Sequence, residues 1–96
     1  MDTLDQIATK IIKEQELIIG PIAWQEAEHV QGLKLEDHTS VHIIETEPDR
    51  KQVVDQLVGR YERLFGRASR EVCREAVAAI IADLSPTDIP TSLATA

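Results

Sequence analysis

Wound at helical pitch, residues 3–19 place Leu4, Ile7, Ala8, Ile11, Ile12, Ile18 and Ile19 on one side of a helix and leave the charged residues on the other. Thr3 and Gln6 stand at capping-box spacing, at which each side chain reaches the other's free backbone N–H. Gly20-Pro21 closes this helix, because proline disfavours helical backbone in the residue before it. Pro21 then opens a shorter second helix to about Val30, since an N–H is dispensable at the first helical position. Ala23, Ala27 and Val30 share its inner face, with Trp24 at the edge.

The period changes at Gly32. Leu33-Lys34-Leu35-Glu36 alternates, as does Val41-His42-Ile43, and the turn formers Asp37-His38-Thr39-Ser40 lie between them. This pattern predicts a hairpin of two short strands. Residues 47–65 return to helical spacing, with Val53, Val54, Leu57, Val58, Tyr61, Leu64 and Phe65 on one face. Thr46, Pro48 and Asp49 form its start signal, and Gly66 is the stop, suited to the left-handed conformation that ends helices. Ser69 is placed to cap a fourth helix, which runs to about Leu84 with Val72, Cys73, Ala76, Val77, Ile80, Ile81 and Leu84 inward. Ser85-Pro86 ends it.

The expected architecture is a single α+β domain over residues 1–84, in the order helix–helix–β-hairpin–helix–helix, with a flexible C-terminal tail over 85–96. An all-α helical bundle is the alternative. A two-stranded hairpin is marginal by itself. Either the first, third and fourth helices cover it, or a second copy of the chain pairs with its open edge. Gln15 falls near the middle of the first helix's apolar stripe, where a buried amide needs a partner. Either the end of the stripe meets solvent, or Gln15 reaches a backbone group or a second copy, which makes it a candidate dimer contact.

Composition narrows the picture. Ninety-six residues form one domain, and with only Trp24, Tyr61 and Phe65 as aromatics the core must be aliphatic. Cys73 is alone, so no disulfide framework exists, and its place between Val72 and Ala76 reads as a small buried hydrophobe. The net charge of −7 argues against nucleic acid and anionic lipid as partners. The apolar run around Val77 to Ala82 is far too short to span a membrane. With Asp2 and Asp5 near its start, the chain lacks the pattern of a signal peptide, and a cytoplasmic location is expected.

Candidate chemistry is sparse. His29, His38 and His42 lie among six carboxylates, and His38 and His42 have the i, i+4 spacing that binds zinc on a helix. On a strand the same spacing separates them by roughly 13 Å, beyond the reach of one ion. No metal site or cofactor is therefore expected, with a small-ligand or metal site on these residues as the alternative reading. Arginines are the most unusual feature. Arg60, Arg63, Arg67, Arg70 and Arg74 are half of all the positive charge in the chain. Residues 60–75 carry a net +2, whereas 14–47 carry −7. Such polarity suits an acidic protein partner or a second copy of the chain, although arginine–glutamate pairs also decorate ordinary solvated helix faces.

The segment Val58 to Val77 resembles helix-turn-helix DNA binders in part, with Gly66 at the turn and Tyr61, Phe65 and Val72 apolar around it. That family has a small residue where Glu62 stands and apolar residues where Arg67 and Glu75 stand. The sequence contains no phosphate-binding glycine loop, nucleophile elbow or Cys-x-x-Cys pair. A non-catalytic interaction or regulatory module is the expectation, with the five arginines facing a protein partner. An enzyme acting on an anionic substrate is the weaker alternative.

Overall fold

The computed structural model describes residues 3–36, 39–44 and 49–93. Helix α1 (Thr3–Ile19) and the short α2 (Ile22–Ala27) precede an antiparallel hairpin of β1 (Leu33–Glu36) and β2 (Ser40–Ile43). Helices α3 (Arg50–Phe65) and α4 (Ala68–Ile81) follow. This is the α+β order read from the sequence, so the all-helical alternative is set aside.

Helix α1 lies at the centre, touching α2, α3, α4 and β2. Its Ile7, Ala8, Ile11 and Ile12 are fully buried, together with Trp24, Leu57, Val58, Tyr61, Cys73 and Val77 from the surrounding helices. Leu33, Val41 and Ile43 add the inner face of the hairpin. Tyr61 joins two layers: its hydroxyl donates to the carbonyl of Ala23 at 2.6 Å, fixing α3 on the start of α2. Burial pushes the ionisation of that phenol well above its ordinary range, and the negative surroundings of Cys73 and Glu26 add to the effect.

Several boundaries differ from expectation for local reasons. The second helix stops at Ala27, and His29 and Val30 donate three residues back in tighter turns. Asp49 caps α3 by accepting from the Gln52 N–H at 3.1 Å. The expected signals at Thr46 and Pro48 lie outside the described residues. Gly66 does stop α3, but at φ 96° and ψ 174°, a conformation open essentially to glycine alone and distinct from the left-handed helical one. Ser69 is not the cap of α4. It sits buried in the first turn, one residue inside the helix, and α4 ends at Ile81.

Within the segment expected as a tail, residues 86–93 fold back. Pro86–Asp88 and Thr91–Leu93 form 3-10 turns, and Leu93 is buried against α3 and α4. Asp55 accepts both the N–H and the hydroxyl of Ser92, at 2.9 and 2.6 Å, and Lys51 Nζ donates to the Thr87 carbonyl. Composition suggested fraying because prolines and hydroxyl residues dominate the segment, yet one leucine and one receiving carboxylate anchor it.

Candidate functional site

Folding divides the five arginines. Arg60 Nε lies 2.8 Å from Glu26 Oε1 and ties α3 to α2. Arg70 Nε lies 3.5 Å from Glu62 across the α3–α4 corner, and Arg74 pairs with Glu71 on its own helix at 3.0 Å. Arg63 and Arg67 are exposed and form no ion pair among the described residues. Arg67, Arg70 and Arg74 border one shallow depression with Glu62 and Glu71. Arg60 and Arg63 border another with His29 and Gln56. The arginines are thus two groups, and three of the five are engaged within the chain.

Arg63 and Arg67 flank exposed apolar surface. Leu64 and Phe65, at the end of α3, are 49% and 39% exposed. Leu17 and Ile18, at the end of α1, are 80% and 62% exposed, and Ile22 at the start of α2 is also exposed. Helix directions gather these residues. Gln15 on α1 meets Ser69 in the first turn of α4, while Leu4 and Leu84 border one depression at the other end, so α1 runs antiparallel to α4 and its last turn lies where α4 begins. Helix α3 ends at Phe65, two residues before α4 begins, so its last turn lies at that same end. The exposed last turns of α1 and α3 therefore lie at the same end of the molecule.

The sequence reading put Ile18, Leu64 and Phe65 inward, and the structure leaves them out because no described element extends far enough to cover them. Leu17 and Ile22 were missed. For Leu17 the signal was present: Leu17-Ile18-Ile19 spans most of a helical turn, and three consecutive apolar residues cannot all face one core.

Gln15, the expected dimer contact, lies inside the fold. It is 1% exposed, and its Nε2 donates to the Ser69 carbonyl at 3.1 Å and toward Cys73 Sγ at 3.4 Å. The amide nitrogen is satisfied inside its own chain. Cys73 is fully buried, and burial pushes its thiol up to about 11, an effect the Gln15 amide partly offsets. A thiol held neutral and sealed from solvent is no nucleophile.

Of the histidines, His38 lies outside the described residues. His29 is exposed after α2, and His42 sits on β2 with Nδ1 3.0 Å from Asp5 Oδ2. The extended backbone at Ser40–Ile43 removes the helical geometry on which a His38–His42 zinc pair depends. Among the described residues, no three His, Cys, Asp or Glu side chains converge as metal ligands.

The most elaborate polar cluster was not anticipated. Asp5, in the first turn of α1, is 3% exposed. Its carboxylate meets the Ile43 N–H at 2.8 Å, His42 at 3.0 Å and Arg50 at 3.3 Å. An aspartate at the start of a helix looks from sequence like a favourable charge at the positive end of the dipole. Nothing local reveals that it reaches a strand. No described helix is long and apolar enough to cross a membrane. Comparison of the chain with protein-family models, with curated proteins and with solved structures gives no match in any of the three.

Proposed function

We propose that this chain is a non-catalytic protein-interaction module acting in the cytoplasm, and that it binds an acidic partner through the end where α1 and α3 overhang the bundle. The observation that carries this reading is the juxtaposition of exposed Leu64 and Phe65 with Arg63 and Arg67, which have no ion-pair partner among the described residues. Apolar surface rimmed by positive charge fits a segment that brings carboxylates around an apolar anchor. Arginine supports such contacts well because its planar fork binds carboxylates in two places. Arg60, Arg70 and Arg74 belong to the fold's own ion pairs and are supporting residues in this reading.

The experiment compares three versions of the chain as affinity baits in their native cell. They are the wild type, Arg63→Glu/Arg67→Glu, and Phe65→Ser, each first shown to be folded. A partner with acidic binding sequence should be captured by the wild type and lost with both variants. Equal capture by all three removes this end of the molecule from the function.

A further inference from the structure

The two edges of the hairpin are treated differently. Ile44 N–H donates to the Gly32 carbonyl, so residues 32 and 44 are a hydrogen-bonded pair of the ladder. Alternation then makes 34/42 and 36/40 the other bonded pairs, and turns the N–H groups of Leu33, Leu35, Val41 and Ile43 away from the partner strand. On β2 those outward groups are covered by α1: Val41 donates to Thr9 Oγ1 at 3.1 Å and Ile43 to Asp5. On β1 the Leu33 N–H turns back to the Val30 carbonyl. Leu35 is left with its N–H and C=O directed outward, and among the described residues no strand lies beside it.

We infer that this edge pairs with a second copy of the chain, β1 against β1 antiparallel, about a two-fold axis through Leu35. The side chains select both partner and register. An outward-facing edge allows axes through Lys34, Leu35 or Glu36. The first sets Lys34 opposite Lys34 of the other copy, and the third sets Glu36 opposite Glu36. Like charges directly opposed on neighbouring strands destabilise the pairing. Only the axis through Leu35 sets each exposed Lys34 opposite an exposed Glu36, twice by symmetry. The same axis lets the two Leu35 residues exchange N–H···O=C bonds and brings their half-buried side chains together on the inner face. The result is a four-stranded sheet in the order β2-β1-β1-β2, whose two outer edges are already closed by α1. A unit that satisfies itself across a two-fold needs no other molecule. The contact is small, so the dimer is weak. It uses neither Arg63 nor Phe65 and does not rest on the proposed docking end.

Sedimentation equilibrium on the full chain up to millimolar concentration, with amide spectra to establish folding, tests this. The wild type should dimerise. Lys34→Glu and Glu36→Lys should each weaken the dimer about tenfold or more, since each converts two attractive pairs into repulsive ones. The double variant, with the charges exchanged, should recover it. A wild type that stays monomeric overturns the inference. So does a dimer indifferent to the single substitutions, or one that the exchange fails to restore. Arg63→Glu/Arg67→Glu should leave this dimer intact, which separates its failure from that of the docking end.

Discussion

Asp5 on α1 accepts the backbone N–H of Ile43 at 2.8 Å, and Thr9, one turn later, accepts that of Val41 at 3.1 Å. Four residues of helix rise about 6 Å and two residues of strand about 6.6 Å, so the two periods match over this distance. A helix laid along a strand can therefore replace a missing third strand for two hydrogen bonds. That relation explains how a two-stranded hairpin persists here, and why α1 occupies the centre of the fold.

Removing either acceptor should uncover a buried donor. Asp5→Ala leaves the Ile43 N–H unsatisfied and takes a carboxylate from Arg50, and should cost about 2–4 kcal/mol. Thr9→Val affects one N–H and should cost about 1–3 kcal/mol. Urea unfolding gives the magnitudes. Amide exchange gives the location: Ile43 should accelerate in the first variant and Val41 in the second. Unchanged protection at both amides would show that α1 does not close this edge.

Gln15 gives a second expectation, because its amide is satisfied between two helices of one chain. Gln15→Ala should lower stability by about 1–3 kcal/mol through a lost hydrogen bond and a small cavity. Gln15→Leu, which keeps the volume, should lose less. Neither should change the molar mass measured by light scattering. A Gln15→Leu chain whose mass differs from wild type would return this residue to an intermolecular role.

Periodicity made the four helices and the hairpin legible, because each buries one face and the spacing of apolar residues records that face. It could not show where each face ends. Ile18 and Phe65 keep the helical spacing of core residues, yet they lie beyond the reach of α4 and α2, and only the relative lengths of packed helices decide that. The arginine cluster was legible as charge, but not as two groups. Glu26 meets Arg60 across 34 residues, a pairing that helical i, i+4 reasoning does not reach. Asp5 and Asp55 were hidden for the same reason. Their partners, Ile43 and Ser92, are distant in sequence, and the backbone N–H groups that both offer leave no mark in side-chain patterns.

Alkaline pH should destabilise the fold through two buried acids. The Cys73 thiol ionises near 9 when unfolded and near 11 when folded, because burial opposes its charge. Its contribution is fully present below pH 9 and is lost as pH rises from 9 to 11, since the unfolded chain releases the proton first. A shift of this size corresponds to about 2–3 kcal/mol. Tyr61, raised further, extends the loss to higher pH. Unfolding free energies measured at pH 8 and at pH 11 should therefore differ less in Cys73→Ala than in the wild type. The same burial should keep a thiol reagent from labelling the native protein at neutral pH. Rapid stoichiometric labelling without unfolding would contradict it.

The C-terminal turns should be part of the cooperative unit. Leu93 is 3% exposed, and Leu93→Ala should cost about 2–4 kcal/mol, as expected for a large side chain removed from a packed site. Asp55→Ala should cost about 1–3 kcal/mol, because the Ser92 N–H and hydroxyl lose their common acceptor together. The two residues anchor one segment, so their effects should be less than additive in the double variant: once Leu93 is loose, Ser92 has less order to lose. Truncation after Leu84 removes both contacts and exposes the seam between α3 and α4, and should destabilise at least as much as Leu93→Ala. Urea unfolding of these four variants beside the wild type decides the matter. A truncated chain as stable as the full one would mean that these turns rest on the core without contributing to it.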